Sequence, residues 1–282
     1  MIIRRGLSLS LGTAALAVVF FLIWYKQTPE SWLEISILDV GQGDAILLEA
    51  PSGQNILIDG GAGKSVIRRL GEELPFWERQ IDLIILTHPH EDHLAGLNEV
   101  IRRYRVGAVI MTGVEYSSAT YTHFLNELLK RSIQTRILEG PEIIEIGDLS
   151  LEFLFPLESF WGERISNLNN SSIVAKAVYK EISLLLTGDA EHEAEQELLG
   201  AKSNLKADIL KAGHHGSATS SGKDFIAAVN PSLVLISSGM GNSYGHPSPL
   251  TISRLERMNI PYRRTDELGT IRLKTDGFLI YE

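Results

Sequence analysis

Cysteine is absent from this 282-residue sequence. Disulfides and thiolate chemistry are thereby excluded, and any bound metal has to be held by imidazole and carboxylate. Positive charge is in short supply, with 26 Lys and Arg against 35 Asp and Glu and a formal net charge of −9. A pI near 5.4 leaves no global field for grasping nucleic acid, so tight duplex binding is not expected. Repeats, low-complexity tracts and internal linkers are missing as well, which favours one domain. Long apolar runs are equally scarce. Only Gly6 to Tyr25 is uncharged and long enough to cross a bilayer as a helix. Arg4 and Arg5 precede it and Lys26 alone follows closely, so the amino terminus is expected inside and the rest of the chain outside the cytoplasmic membrane. Ala15-Leu16-Ala17 is a small-x-small signature, but it lies inside the apolar run. An uncleaved single-pass anchor is therefore favoured over a cleaved signal peptide, which would give a secreted protein. Residues 1–30 are read as anchor and linker, and 31–282 as one domain whose 44% apolar and 22% charged content is ordinary for a folded protein.

Against these absences stands Thr87-His88-Pro89-His90-Glu91-Asp92-His93, with three imidazoles and two carboxylates in six residues. It follows the run Ile81 to Leu86, which reads as a buried strand. His88 and His90 are two apart and share a side on extended backbone. Leu94, Leu97, Val100 and Ile101 then form one stripe of a helix, Leu94 to Arg105. Asp92 and His93 fall at the strand-to-helix turn. Neutral imidazole with carboxylate is the ligand set of zinc and similar divalent ions.

Three further strand ends carry chemistry of the same kind. Asp59 ends Asn55 to Ile58, Asp189 ends Ile182 to Leu186, and Gly213-His214-His215-Gly216-Ser217 follows the short apolar segment at Ile209 and Leu210. Alone, an Asp after a strand is a turn former or helix cap. Together, these ends allow sheets to gather Asp, Asp and His–His beside the His cluster. Gly63-Lys64-Ser65 imitates the end of a phosphate-binding loop, but Ile58 stands where that motif needs glycine.

This pattern resembles the metallo-β-lactamase superfamily, with its early Asp, HxHxDH, late Asp and final His. Asp39-Val40-Gly41-Gln42-Gly43-Asp44, Asn170-Ser171-Ser172, Gly213 to Ser217, Asn242-Ser243-Tyr244-Gly245-His246-Pro247 and Arg264-Thr265-Asp266 narrow the resemblance to the extracytoplasmic hydrolase domain of the ComEC competence-protein family. It covers Leu33 to Glu282, without the multi-pass channel region of that family. The resemblance implies an α/β fold, an αββα sandwich of two mixed sheets flanked by helices. It also implies two divalent ions, Zn2+ or Mn2+. His88 and His90 would hold one, and Asp92, His93 and His214 the other, with Asp189 between them. His215 is the alternative to His214, since adjacent side chains at a strand end point apart. Asp59 is expected to accept the second ring proton of a ligand histidine. The superfamily's middle histidine is missing; Asn170, Ser171 and Ser172 stand there, and His123 reads as a helix-face residue. The first ion would then keep open positions.

The expected roles follow from this assignment. Asp92 is a candidate proton acceptor for attacking water, and His246 a candidate acid for the leaving alkoxide. Lys211 and Ser217 are candidate substrate contacts. The function expected first is phosphodiester hydrolysis, as a phosphodiesterase or nuclease on single-stranded DNA in company with competence or DNA-uptake proteins. Hydrolysis of a small ester, lactone or β-lactam is the alternative, and a membrane-anchored binding module with a vestigial site the third.

Strands are predicted at Leu33–Leu38, Ala45–Glu49, Asn55–Ile58, Ile81–Leu86, Val106–Met111, Leu149–Leu154, Ile173–Val178, Ile182–Leu186, Asp208–Ala212, Leu233–Ser237 and Thr270–Lys274. Helices are predicted at Val66–Glu73, Leu94–Arg105, Tyr121–Arg131, Glu191–Leu199, Lys223–Val229 and Pro249–Met258.

Overall fold

A computed structural model describes residues 32–282. The predicted anchor, linker and span lie outside the described residues, among which no helix is long and apolar enough to cross a membrane. Strands β1 (Leu33–Ile37), β2 (Ile46–Glu49), β3 (Asn55–Ile58), β4 (Gln80–Leu86), β5 (Arg105–Met111) and β6 (Gln134–Ile137) belong to one sheet. They are joined there by β14 (Ile271–Thr275) and β15 (Ile280–Tyr281), in the order β15-β14-β1-β2-β3-β4-β5-β6. The second sheet contains β7 (Glu142–Ile146), β8 (Leu149–Phe155), β9 (Val174–Tyr179), β10 (Ile182–Leu186), β11 (Ile209–Lys211), β12 (Leu233–Ile236) and β13 (Tyr262–Arg264), running from β13 at one edge to β7 at the other. Each sheet is antiparallel in one part and parallel in the other: β3 to β6 are parallel, as are β10 to β13.

The continuous apolar character of the central strands follows from burial on both faces. Alternate residues serve different cores. Ile56, Ile85, Leu184 and Leu235 belong to the core shared by both sheets. Leu57 and Ile84 turn the other way, toward α1 (Ser65–Glu73), α2 (Glu91–Arg103) and α3 (Ala119–Lys130). Leu185 and Val234 pack with α4 (His192–Gly200), α5 (Lys223–Val229) and α6 (Pro249–Arg257). The layering is therefore helix, sheet, sheet, helix. Gly96 lets α2 settle onto the turn after β3, because a Cβ there would lie 1.8 Å from the Gly60 carbonyl oxygen.

Four strands escape the sequence reading: β6, β7, β13 and β15. All lie at or next to sheet edges, and their exposed or half-exposed side chains give no buried run to detect. Helix α2 begins at Glu91, three residues before the predicted start, with His90 as its extended N-cap. Asp92 and His93 are thus in the first helical turn, where the helix dipole favours the carboxylate.

Candidate metal centre

The site forms where β3, β4, β10 and β11 end. Asp59 follows β3 in a left-handed conformation (φ 58°), and its buried carboxylate is saturated. One oxygen accepts from the Thr87 backbone N–H at 2.8 Å, and the other from the Thr87 hydroxyl at 2.7 Å. The latter also lies 2.8 Å from Nδ1 of His93. A carboxylate in that position fixes the ring orientation and makes Nε2 the nitrogen left for a cation, which would displace its proton. His93 Nε2 is buried, lies 3.2 Å from Asp189 Oδ2 and makes no hydrogen bond.

The other imidazoles repeat the arrangement with different partners. His88 Nδ1 is 3.1 Å from the Thr87 hydroxyl and 3.2 Å from that of Ser172. Its Nε2 faces His90 Nδ1 at 3.0 Å and Asp189 Oδ2 at 3.9 Å. His215 Nδ1 is 3.1 Å from the Ser237 carbonyl oxygen and 3.2 Å from Asp44 Oδ1. Its Nε2 lies 3.3 Å from Asp92 Oδ2 and 3.5 Å from Asp189 Oδ2. Asp189 is the hub, and its buried Oδ1 has no partner. Among the described residues, Asp92, His93, Asp189 and His215 offer donor atoms all within 4.8 Å of one another.

The electrostatics bear the stamp of this crowding. Burial alone would neutralise His93, but the Asp189 and Asp59 carboxylates raise its pKa well above the ordinary imidazole value. For His215, burial is likewise overcome by Asp189 and Asp44, which push it up to about 9. His88, without a carboxylate behind it, is lowered by burial and by the neighbouring His93. Burial opposes ionisation of Asp189, yet His215 and His93 hold it well below the carboxylate range. These residues fit a divalent cation: imidazole nitrogens and carboxylate oxygens converge in a buried group where His93 Nε2 and Asp189 Oδ1 have no hydrogen-bond partner.

Several expectations need correction. His215, not His214, joins the four-donor group. Both residues are left-handed, at φ 54° and 47°, in a 3-10 turn rather than on an extended strand end, so the rule of opposed side chains does not apply. The His215 side chain is 1% exposed and that of His214 24%. His214 Nδ1 instead lies 2.9 Å from Glu191 Oε1, and its Nε2 is 3.8 Å from Asp189 Oδ2.

Lys211 is fully buried in an ion pair with Asp44 and cannot reach substrate. The pair is structural. With burial opposing, Lys211 and His215 still hold Asp44 at about 2, and removing one partner of such a pair costs about 3–5 kcal/mol. Ser217 is buried, its hydroxyl 2.9 Å from that of Thr219. Asn170 bonds Glu193 and the Glu191 backbone N–H, and Ser171 the Leu168 carbonyl; neither touches the donors. Ser172 does, since its hydroxyl also accepts from the Asp189 backbone N–H at 3.0 Å. His246 stands beside His214, ring centroids 5.3 Å apart, with a buried Nδ1 that has no partner. It is not among the cleft-lining residues.

An open cleft of about 320 Å³ leads to the centre, lined by His90, Glu91, Asp92, Tyr116, Asn169, Asp189, His214 and Tyr244. The sequence reading missed Asn169, Glu191 and the role of Asp44. Asp44 was legible as part of the Asp39 to Asp44 motif, whereas the other two carry no pattern of their own.

An αββα sandwich with histidines and carboxylates gathered at its strand ends defines a metallo-hydrolase. Residues 38–239 match the metallo-beta-lactamase superfamily, and the chain belongs to that superfamily. Among its curated relatives are competence proteins of the ComEC family. It is 31% identical to ComE operon protein 3 of Bacillus subtilis (strain 168) over 96% of this chain and 37% of that protein. It is 27% identical to competence protein ComA of Neisseria gonorrhoeae over 96% of this chain and 36% of that one. The chain thus spans little more than a third of the length of either relative. The crystal structure of the metallo-beta-lactamase fold protein YhfI from Bacillus subtilis shares the fold, with a TM-score of 0.58 at 12% identity over 86% of this chain and 99% of that chain.

Proposed function

We propose that this chain is a divalent-metal-dependent phosphodiesterase that cuts a DNA strand during DNA uptake. The observation that carries the reading is the convergence of His88, His93, His214 and His215 Nε2 on Asp189 Oδ2 at the floor of an open cleft. The names of the competence-protein relatives support DNA as the polymer. Asp92, His93, Asp189 and His215 would hold one ion; His88, His90 and Asp189 would hold a second. Zinc or manganese in these positions supplies Lewis-acid activation of water and neutralises charge on the transferring phosphoryl group. Asp59, Thr87, Ser172 and Asp44 hold the ring tautomers. Asp92, partly open to the cleft, is placed to accept a proton from attacking water. His214, with Nδ1 held by Glu191, faces the cleft where His246 does not. The reading includes an N-terminal anchor and a catalytic domain outside the cytoplasmic membrane, which protease access to intact spheroplasts tests.

A second reading is favoured by the acidic cleft wall of Glu91, Asp92 and Asp189. Such a wall suits a small neutral ester or lactone, which needs no cationic groove. The deciding experiment supplies zinc and manganese separately to the full chain and compares bis-(p-nitrophenyl) phosphate with a chromogenic β-lactam and a simple lactone. Hydrolysis of the phosphodiester, lost in Asp189→Asn, is the expected result. Turnover of only the β-lactam or lactone would overturn the phosphodiesterase reading.

A further inference from the structure

The loop Asn242-Ser243-Tyr244-Gly245-His246-Pro247 is the sequence motif that the metal centre leaves unused. Asn242 organises it with one amide. Its Oδ1 accepts from the backbone N–H groups of Tyr244 and His246, both at 3.1 Å. Its Nδ2 donates to the carbonyls of Gly239, at 2.9 Å, and His246. Four bonds from a single side chain fix a tight turn, and what that turn presents is the Tyr244 ring. The ring is 69% exposed, lines the cleft and lies 25° from the plane of His246 at 6.0 Å between centroids. On the His90 side of the same cleft stands Tyr116, edge-on to His90 at 6.1 Å. Neither phenol hydroxyl hydrogen-bonds among the described residues; Tyr116 is partly buried and packed against the apolar core, and the face held free is that of Tyr244.

The cleft lining supplies the second half of the argument. It contains three carboxylates and no Lys or Arg. A polyanion cannot be held at this cleft by side-chain cations. Besides bound metal and the polar groups of His90, Asn169 and His214, the source of affinity the cleft offers is contact with the rings, and aromatic faces stack on any unpaired base. Bases inside a duplex are already stacked on one another and offer no free face.

We infer that Tyr244 and Tyr116 form a base-stacking clamp, in which an unpaired base lies on Tyr244 while the adjoining phosphodiester reaches the Asp189 centre, restricting the site to single-stranded polynucleotide. The inference rests on the phosphodiesterase reading above.

The test uses the full chain with manganese or zinc, a short single-stranded oligodeoxynucleotide carrying 2-aminopurine, the same strand without bases, and its blunt duplex. Binding of the single strand is expected to quench 2-aminopurine fluorescence. Tyr244→Ala should weaken that binding ~10-fold and remove the quenching, while Tyr244→Phe keeps both. The base-free strand should bind the unaltered chain about as weakly as the normal strand binds Tyr244→Ala. Circular dichroism and metal content should match between variants, since the ring is exposed.

Equal binding of normal and base-free strands, unchanged binding and quenching in Tyr244→Ala, cutting of duplex as fast as single strand, or no binding of either strand would each overturn the clamp. If bis-(p-nitrophenyl) phosphate is still hydrolysed in that case, the phosphodiesterase reading survives and the clamp alone has failed. If the chain turns over only the β-lactam or lactone, the reading itself has failed.

Discussion

The two corners of the metal centre are built unequally. His93 and His215 have carboxylates behind them, Asp59 at 2.8 Å and Asp44 at 3.2 Å. Behind His88 there are two hydroxyls, of Thr87 and Ser172. A carboxylate makes an imidazole a stronger ligand and pins its tautomer, whereas a hydroxyl donates or accepts and pins it less firmly. The His93–His215 corner also gathers four donors within 4.8 Å. The physical lesson is that a symmetrical motif such as HxHxDH need not make a symmetrical site. The surrounding side chains decide which half is the stronger set of donors.

That inequality can be attacked in descending order of effect. Asp189→Asn removes the charge facing both corners and replaces one carboxylate oxygen with NH2, and turnover should fall on the order of 10³-fold, read as kcat on the preferred substrate at saturating metal. Equal activity in that variant would dissolve the shared centre. Next, His215→Ala should weaken tight metal binding by more than ~100-fold by titration calorimetry, while His214→Ala changes it by less than ~10-fold. The opposite ranking would restore His214 as the ligand. Asp59→Asn should lower affinity at the tight corner by ~10–100-fold, and Ser172→Ala should do less at the weak one. A larger loss from Ser172→Ala would reverse the order of the corners.

The smallest effect is a slope with pH. His93 and His215 are both held above the ordinary imidazole range, His215 at about 9, so a cation has to displace a proton from each at neutral pH, and apparent affinity should rise about tenfold per pH unit for each proton displaced. In metal-free protein the sign is opposite. A pKa raised on folding stabilises fully below the unfolded value near 6.5 and loses that contribution as pH rises through about 9. Thermal melts with and without metal across pH 6–10 check both slopes.

Much of this was legible in the residues. The buried strands announced themselves as Ile and Leu runs, and Asp59, His88, His90, His93 and Asp189 all sit at strand ends or the helix start beyond them. What escaped did so for identifiable reasons. Edge strands β6 and β13 bury too little to leave a period. The choice between His214 and His215 turned on two left-handed residues, a backbone state that nothing in a His-His pair foretells. Lys211 seemed available because an isolated lysine usually points to water; its partner Asp44 lies 167 positions away in sequence. Asn169 and Glu191 act through a network with Asn167 and Thr219 that only the fold assembles.

The pairing of β14 with β1, Leu33 opposite Thr275, has a consequence for biosynthesis. The sheet that bears Asp59 and the histidine cluster is laid down first, yet its edge beside β1 stays open until residues 271–281 leave the ribosome. During elongation β1 offers a row of bare amides and carbonyls to any passing strand. Early-made chemistry therefore waits on late-made scaffolding, and nascent chains arrested shortly before Ile271 keep that edge uncovered.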